Sequence, residues 1–309
     1  MSLADRDGWI WQDGKLVAWR EATVHVLAHG LHYGTAVFEG VRAYATERGP
    51  AAFRLTEHTD RLLNSAKILG MPVSYDRQQL IDAQCEVVRA NSLEAAYIRP
   101  LIYFGPESLG IDIAKNASHA IVAAWAWGTY LGEEGLERGI RIKTSSFWRH
   151  HPAVTMCRGK ISGNYVNSVL AHSEAVADGF DEALQLDTSG YVSEGSGENL
   201  FLVFAGQLVT PPLDTPLAGI TRQTILELAA EEGIECSQRR LTRDDLYIAD
   251  EAFFTGTAAE VTPIREVDRR QIGAGKRGPV TERLQQRFFN CVAGKDERHA
   301  DWLTRIGDG

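Results

Sequence analysis

The order in which strand-like and helix-like patterns follow one another most constrains how this 309-residue chain can fold. Two apolar strand patterns, "AAYIRPLIYFG" and "AIVAAWAWG", directly follow two helix patterns, and a later stretch, "EALQLDTSGYVSEGSGENLFLVFAGQLVTP", has the alternation of a meander of short strands. A doubly wound sheet requires strands that alternate regularly with helices. The irregular order therefore favours an α+β fold with two domains.

Local signals place several elements. The stretch "WIWQDGKLVAW" predicts a hairpin around Asp13 and Gly14, a pair suited to positive φ. Residues 57–69 have a helical pattern behind the candidate cap Thr56, and "DRQQLIDAQCEVVRAN" predicts a second helix. In the second half we expect a strand at "IRIKTSSF", a helix over about residues 164–177 and another at "TRQTILELAAEEG".

A glycine-rich break separates the two halves. The stretch "GTYLGEEGLERG", from Gly128 to Gly139, contains four glycines and has neither the apolar periodicity of a helix nor the alternation of a strand. We therefore expect a smaller N-terminal domain at 1–128, an interdomain loop at 129–139 and a larger C-terminal domain at 140–309.

Charge and cysteine content exclude several classes of protein. The formal net charge is -9, from 32 Lys and Arg against 41 Asp and Glu, which argues against a nucleic-acid-binding protein. The four cysteines, Cys85, Cys157, Cys236 and Cys291, form no Cys-x-x-Cys pair and suit free thiols in a reducing compartment. No apolar run approaches the ~20 residues of a membrane helix, and the charged amino terminus has no secretory pattern. We expect a cytoplasmic protein.

Common site motifs are also missing. His25, His29 and His32 have four- and three-residue spacing, but a glycine interrupts them and a further ligand is lacking, so no metal is expected. The stretch "SEGSG" has Glu194 where a nucleophile elbow needs glycine. Walker and dinucleotide-binding loops do not occur. Hydrolase and nucleotide chemistry are therefore not indicated.

One lysine has unusual neighbours. In "VTMCRGKISGNYVNS", Lys160 lies between Gly159 and Ser162-Gly163, just before a helical pattern. An ordinary surface lysine needs no such neighbours, whereas an amine that must reach a bound aldehyde needs small residues around it. Lys160 is therefore the candidate nucleophile.

Other features suggest a pocket for an amino acid and a phosphate, although each is weak alone. Period-2 geometry puts Tyr97 and Arg99 on one face of a strand, beside the Trp125 and Trp127 of the next strand. An aromatic wall with an arginine suits a ligand that has an apolar side chain and a carboxylate. The start of the helix at "GITRQTILEL" offers unpaired N–H groups to a phosphate. Taken alone, Arg61 resembles an ordinary solvated arginine.

Eight blocks in order resemble one family: "HYGTAVFEGVRAY", "AYIRPL", "WAWGTYLG", "SSFWRHHP", "GKISGNY", "YVSEGSGENLF", "GITR" and "ADEAFFTGTAAEVTPI". They are similar to the branched-chain amino-acid aminotransferases, which are pyridoxal-phosphate enzymes of fold type IV. The resemblance implies a two-domain α+β fold and reversible amino transfer between leucine, isoleucine or valine and 2-oxoglutarate. The stretch "TMCRGK" departs from the family pattern, which leaves Cys157 and Arg158 without an assigned role.

The resemblance assigns cofactor contacts. Lys160 would hold pyridoxal 5'-phosphate covalently and then move the proton of the substrate Cα. Glu194 would keep the pyridine nitrogen protonated, Tyr165 would bond the phenolic oxygen, and Arg61 would clamp the phosphate. The implied cofactor site comprises Arg61, Lys160, Tyr165, Glu194, Gly197, Glu198, Leu217, Gly219, Ile220, Thr221, Gly256 and Thr257.

The resemblance also assigns the substrate pocket. Arg99 at its rim would let the γ-carboxylate of glutamate enter the pocket that takes leucine. Tyr33 and the loop around Leu109–Ile111 would reach the site of a partner subunit, so that a homodimer is the minimal unit and a homohexamer is a further assembly open to it. The implied substrate site comprises Tyr33, Phe38, Gly40, Arg42, Tyr97, Arg99, Leu109, Ile111, Trp127, Tyr130, Tyr165, Thr257 and Ala258.

Two kinds of alternative stay open at this stage. The first is another fold-IV enzyme: a D-amino-acid or (R)-amine transaminase, or an aminodeoxychorismate lyase. "FEGVRAY" and "TGTAAEVTP" favour the branched-chain type over these. The second is a catalytically silent binding protein on the same fold, against which Lys160, Glu194, Tyr165 and Arg61 together argue.

Overall fold

The computed structural model describes residues 2–128 and 132–307. The chain divides into two compact units. The first comprises Met1–Trp127, Gly159–Asn164 and Cys291–Gly309, and the second comprises Gly128–Arg158 and Tyr165–Asn290. The segment 159–164, which carries Lys160, thus belongs with the amino-terminal part of the chain. The boundary at residues 129–139 stays a prediction.

The first unit is built on a sheet that has eight strands among the described residues, in the order β17-β5-β4-β6-β7-β1-β2, with β3 paired to β6. Neighbouring strands in it run antiparallel. Its strands are β1 (Trp9–Gln12), β2 (Lys15–Ala18), β3 (Ala36–Phe38), β4 (Val41–Thr46), β5 (Gly49–Phe53), β6 (Ala96–Phe104), β7 (Ser118–Trp125) and β17 (Leu303–Arg305). The predicted hairpin is confirmed: β1 and β2 meet at Asp13 and Gly14, which have φ of 46° and 91°.

The helices of the first unit are α1 (His29–Tyr33), α2 (Leu55–Ile68) and α3 (Arg77–Ala90). The fully buried Leu62 of α2 and Leu80 of α3 pack into the same apolar core as the inner residues of the sheet, each contributing roughly 1.5–3 kcal/mol. Asp76 caps α3 through a reciprocal bond pair with Gln79. A helix over residues 76–91 was expected and is confirmed.

The predicted cap of α2 is wrong. The helix begins earlier than Thr56 suggested, and its N-cap is Arg54 in the left-handed region, with φ 49° and ψ 42°. The backbone N–H of Arg54 donates to the oxygen of Trp302 at 2.7 Å, and its guanidinium lies 4.1 Å from the centre of that ring. These contacts with the carboxyl-terminal segment hold a conformation that a local propensity does not favour.

The second unit is built on a mixed sheet that has nine strands among the described residues, in the order β10-β9-β8-β15-β14-β11-β12-β13, with β16 paired to β15. β8 runs parallel to β9 and β15, and β12 parallel to β13, while the other pairs are antiparallel. Its strands are β8 (Ile140–Thr144), β9 (Glu182–Leu186), β10 (Val192–Gly195), β11 (Asn199–Phe204), β12 (Gln207–Thr210), β13 (Cys236–Gln238), β14 (Glu251–Gly256), β15 (Glu260–Val267) and β16 (Arg270–Gln271).

The remaining helices are α4 (Gly132–Arg138), α5 (Tyr165–Ala177), α6 (Ile220–Glu231), α7 (Arg243–Ile248) and α8 (Pro279–Val292). α5 and α6 lie within one or two residues of the expected positions. No helix of the described residues is long and apolar enough to cross a membrane. Two different mixtures of helix and sheet, one in each unit, confirm the predicted α+β class.

Candidate active site

Lys160 lies in the first unit, tied between β3 and α2. Its backbone N–H donates to Ser65 Oγ at 2.9 Å, and its carbonyl oxygen accepts from the Phe38 N–H at 3.1 Å. The Nζ atom lies 4.8 Å from the centre of the Phe38 ring. The backbone of Lys160 is therefore fixed on both sides while its amine extends over an aromatic face.

The small residues around Lys160 also have a packing reason that the sequence analysis did not identify. A Cβ on Gly34, which has φ of 66°, would lie 2.6 Å from the Cα of Gly163, and a Cβ on Gly159 would meet the side chain of Ile161 at 3.0 Å. Gly163 N–H also donates to Gly34 O. The glycines allow two backbone segments of the first unit to touch, which holds the lysine segment in place.

Aromatic and cationic side chains of β3 and β6, together with Trp127 after β7, gather in the same unit. The Arg99 guanidinium lies 5.0 Å from the centre of the Phe38 ring, and its Nη2 donates to the Tyr97 hydroxyl at 3.2 Å. The ring of Trp127 meets that of Tyr97 edge to face at 4.3 Å. A Cβ on Gly40 would lie 1.9 Å from the Tyr97 hydroxyl, so only glycine fits there. The prediction that Tyr97 and Arg99 share a face is confirmed.

Arg61 is not a solvated arginine, because it is bonded to a carboxylate that the sequence analysis missed. Arg61 Nε and Nη2 donate to the two oxygens of Glu39 at 2.5 and 2.9 Å, and His58 Nδ1 lies 2.8 Å from Glu39 Oε2. Glu39 is fully buried, and 15% of the Arg61 side chain is exposed. Burial alone would raise the pKa of Glu39, but Arg61 and His58 outweigh it and hold that pKa well below its usual range.

Removing the Glu39 carboxylate should be costly. Glu39→Ala leaves Arg61 and His58 without their buried anion, and we expect a loss of about 3–5 kcal/mol in the free energy of unfolding, measured in urea at pH 7. The pKa of Glu39 is lower in the folded chain than in the unfolded chain, where it is near 4.5. The Glu39 carboxylate therefore contributes its full stability above that pH, and the contribution decreases as the pH falls below it. The variant should therefore lose less stability than the wild type on acidification.

Glu94→Ala, at an exposed position of the same unit, is the matched control and should change the free energy of unfolding by less than about 0.5 kcal/mol. Equal unfolding curves for the Glu39 and Glu94 variants would show that the buried network adds no stability.

Glu194 is a buried carboxylate of the second unit, in β10. Arg149 Nε lies 2.6 Å from Glu194 Oε1, and the other oxygen accepts from the Leu217 N–H at 2.9 Å and from Asn199 Nδ2 at 3.3 Å. The side chains of Glu194 and Arg149 are both more than nine-tenths buried. A guanidinium and two neutral donors thus hold the carboxylate in one orientation. Arg149, in the block "SSFWRHHP", was missed by the sequence analysis.

Cys157 packs close to this pair. Its Sγ approaches the carbonyl oxygens of His150 and Thr155 at 3.3 and 3.6 Å, and burial raises the pKa of the thiol despite the charge of Arg149. The side chain is buried, whereas that of the adjacent Arg158 is exposed. Cys157 therefore acts as an apolar packing residue with a weak S–H donor.

The start of α6 has the properties of an anion site. Its N-cap, Gly219, supplies no side-chain bond to the first turn, and a Cβ there would lie 1.9 Å from Asn199 Oδ1. Ile220 and Thr221 are the first residues of this 12-residue helix, and Thr221 is buried. The N–H groups and positive dipole end of the first turn suit a phosphate.

A small-residue turn joins β14 to β15 in the same unit. It contains Gly256, Thr257 and Ala258, and a Cβ on Gly256 would lie 3.4 Å from Gly197 O and 3.5 Å from Glu198 Cγ. Gly197 N–H donates to Glu198 Oε2 at 3.0 Å. The described structure thus brings Gly197, Glu198 and Gly256 together, while Tyr165 begins α5.

The other predicted pocket residues form a separate group or are not described. The Tyr33 hydroxyl donates to Leu109 O at 3.1 Å, and Ile111 is 88% exposed. Arg42 lies opposite Tyr97 in the β4–β6 ladder, with its guanidinium over Tyr44. Tyr130 lies outside the described residues.

A group of metal-ligating type among the described residues is Cys291, Asp296 and His299, whose ligand atoms lie within 4.8 Å of one another. Asp296 already accepts from the backbone N–H and the guanidinium of Arg298, and the His299 ring stacks on Trp302 at 3.7 Å. We interpret these contacts as structural, since they order the carboxyl-terminal segment.

The polar groups that the two units offer have the chemistry to bind a phosphorylated aromatic aldehyde. The first unit offers a lysine amine and an arginine, and the second offers a buried carboxylate paired with an arginine, and a helix start without a side-chain cap. An amine takes an aldehyde, a buried anion holds a protonated ring nitrogen, and arginine and helix N–H groups bind phosphate.

Comparison with known proteins agrees with this chemistry. The family model described as amino-transferase class IV matches residues 36–267. The branched-chain-amino-acid aminotransferase of Pseudomonas aeruginosa is 58% identical over 306 residues, which cover 99% of this chain and all of the relative. The crystal structure of the Escherichia coli branched-chain amino acid aminotransferase superposes with a TM-score of 0.96 at 47% identity, covering 98% of this chain and all of that one. The branched-chain amino acid aminotransferase from Thermobaculum terrenum, solved in its PLP-form, has a TM-score of 0.91 at 35% identity, covering 98% of this chain and 99% of that one.

Proposed function

The chain belongs to the class IV aminotransferases, and from that premise we propose how its own residues divide the work of amino transfer. It is a pyridoxal-phosphate-dependent branched-chain-amino-acid aminotransferase, as the sequence predicted. Two observations support the division of roles: the backbone of Lys160 is fixed within the first unit, and within the second unit an arginine holds the buried Glu194.

Lys160 is the proposed catalytic residue. Bound pyridoxal 5'-phosphate supplies an aldehyde and an aromatic ring that takes up the electron pair left when a substrate Cα loses its proton. The Lys160 amine would hold the aldehyde carbon of the bound cofactor between turnovers and, once free of that bond, would move the proton between the substrate Cα and that carbon. Its backbone bonds to Ser65 and Phe38 fix the root of the side chain, so the amine starts from a defined position for both tasks.

Glu194 keeps a proton on the ring nitrogen of the cofactor. A carboxylate that Arg149 and the Leu217 N–H hold in one orientation is a suitable partner for a pyridinium. A protonated ring withdraws electrons more strongly, which lowers the barrier to removing the Cα proton. Arg149 thus acts through Glu194 as a positioning residue.

We assign the remaining cofactor contacts by matching each protein group to the part of the cofactor that it can bind. Arg61 binds the phosphate as a charged donor whose orientation Glu39 sets, and the first turn of α6 provides N–H groups. Tyr165 binds the phenolic oxygen. Glycines permit close approach to the ring and phosphate. Besides Lys160, Tyr165 and Glu194, the proposed contacts are Arg61, Gly197, Glu198, Leu217, Gly219, Ile220, Thr221, Gly256 and Thr257.

The cluster around Tyr97 supports the proposed substrate pocket. Phe38, Trp127 and the Tyr97 ring provide an apolar wall for a branched side chain, while the Tyr97 hydroxyl and the Thr257-Ala258 turn receive the α-carboxylate. Arg99 is held at this wall by the Tyr97 hydroxyl. Gly40 and Arg42 belong to the same strand region, and Tyr130 stays a predicted contact.

A homodimer is the proposed minimal active unit. Tyr33, Leu109 and Ile111 are exposed in the single chain. Covering an apolar side chain such as Ile111 with a partner subunit would remove apolar surface from water, which is favourable. We propose that they line the pocket of the partner subunit. Sedimentation of the active enzyme at assay concentrations tests this, since an active monomer would contradict it; a homohexamer is the further assembly that the same measurement would detect.

Turnover of L-leucine with 2-oxoglutarate tests the substrate pair. We expect L-glutamate and the branched 2-oxo acid in equal amounts and no turnover of D-alanine. D-alanine turnover without glutamate from L-leucine would overturn the proposal in favour of a D-amino-acid transaminase.

Arg99 should matter for the substrate that has a second carboxylate. Arg99→Ala should lower kcat/KM for L-glutamate by about 10- to 150-fold, which corresponds to the ~1.5–3 kcal/mol of a charge-assisted hydrogen bond. Turnover of L-leucine should fall by no more than about threefold in single half-reactions. Arg99→Lys, which keeps the charge but loses the planar fork, should lie between these values for glutamate. Equal losses for both substrates would contradict a shared pocket.

A further inference from the structure

His29 is a buried side chain that the proposed chemistry does not use. It is 2% exposed and makes two polar ring contacts: Nδ1 lies 2.6 Å from Thr35 Oγ1, and Nε2 lies 2.9 Å from Gly110 O. Its backbone N–H donates to Gly105 O at 3.0 Å. One residue of α1 therefore contacts both ends of the segment 105–110.

The two polar ring contacts differ in kind. A carbonyl oxygen only accepts, so the contact with Gly110 places the proton of the neutral ring on Nε2. Nδ1 is then an acceptor for the Thr35 hydroxyl. The ring thus links Thr35, which precedes β3, to the backbone of a loop far along the chain.

The loop that His29 holds carries two exposed apolar side chains. Leu109 and Ile111 flank Gly110 and are 38% and 88% exposed. Gly110 has no side chain to pack, and its carbonyl is the group that His29 bonds, while its N–H donates to Ser108 Oγ at 3.3 Å. Asn116 Nδ2 donates to Gly105 O and Ser108 O at the base of the loop, at 2.8 and 2.9 Å. His29 and the Tyr33 hydroxyl hold the tip, the latter through Leu109 O.

We propose that His29 is a positioning residue that fixes the loop bearing Leu109 and Ile111, and that through this loop it sets the preference for branched over short side chains. The inference rests on the proposed function, in which these two side chains line the pocket of the partner subunit. A loop whose tip is held by both His29 and Tyr33 presents Ile111 in one place, whereas a loop whose tip is held by Tyr33 alone lets Ile111 occupy a wider range of positions. Only substrates whose side chains are long enough to reach Ile111 lose binding contacts when Ile111 is less fixed.

Two substitutions separate the two ring contacts. The amide of His29→Gln reaches about as far as Nε2 and keeps a donor for Gly110 O, whereas His29→Asn places its amide near Nδ1 and loses that bond. In the holoenzyme we expect His29→Asn to lower the ratio of kcat/KM for L-leucine to that for L-2-aminobutyrate by about tenfold, mostly through the KM of leucine. His29→Gln should keep the ratio within about twofold, and the visible absorbance of the bound cofactor should not change in either variant.

Ile111→Ala provides a second measurement that does not depend on folding of a core variant, because this side chain is exposed. It should lower the same ratio by a similar factor, and adding His29→Asn to it should lower the ratio little further. An unchanged ratio in Ile111→Ala, or equal losses for both substrates in His29→Asn, would overturn the inference. Absence of leucine turnover in the wild type would instead overturn the proposed substrate pair, and with it the inference.

Discussion

Lys160→Ala should lose leucine transamination by at least about 10³-fold, because the variant lacks both the group that holds the aldehyde and the base that moves the Cα proton. The phosphate contacts proposed for Arg61 and the first turn of α6 are untouched, so the variant should still bind pyridoxal 5'-phosphate without a covalent bond. Single-turnover measurements with L-leucine, together with dialysis of the bound cofactor, check both parts.

Lys67→Ala is the matched control, since Lys67 is an exposed lysine near the end of α2 in the same unit. It should retain full activity within about twofold. Turnover of the Lys160 variant above about a hundredth of the wild-type rate would contradict the assigned role.

Glu194→Gln should lower kcat by about 10²- to 10³-fold, the size of effect seen when one preorganised electrostatic group is removed from an active site. A neutral amide does not keep the ring nitrogen protonated, and Arg149 then faces no anion. The visible absorbance of the bound cofactor should shift because the protonation of its ring changes. Stopped-flow absorbance with L-leucine measures the rate and the shift together.

Glu182→Gln provides the control for burial. Glu182 is a fully buried carboxylate of β9, the strand that pairs with β10, and it contacts His172 at 3.0 Å. Its variant should keep kcat within a few-fold even if stability falls. If the Glu194 and Glu182 variants lost activity equally, with no spectral shift in either, the electronic role of Glu194 would be refuted.

Much of the fold followed from local patterns. The Asp13-Gly14 turn demanded positive φ, and the period-2 alternation around Tyr97 and Arg99 put both on one face, as observed. Such features depend on neighbours a few residues away. The blocks that resemble the aminotransferases identified the family because their order along the chain is specific, even where each block alone is weak.

The paired charges could not be predicted from such patterns. Glu39 lies 22 residues before Arg61, and Arg149 lies in a different block from Glu194, so that only the folded chain brings each pair together. A charged residue between Phe38 and Gly40, directly after an apolar strand, was the available signal for Glu39. The cap at Arg54 was missed for the same reason, since Trp302, far along the chain, stabilises it.

Borohydride reduction of the enzyme with bound pyridoxal 5'-phosphate, followed by peptide mapping, tests the central role of Lys160 most directly. Reduction makes the bond between the cofactor and its lysine permanent, so the labelled peptide identifies the amine. We expect one label per chain, on the peptide that contains "GKISGNY". A label on a different lysine, such as Lys143 or Lys67, would contradict the account.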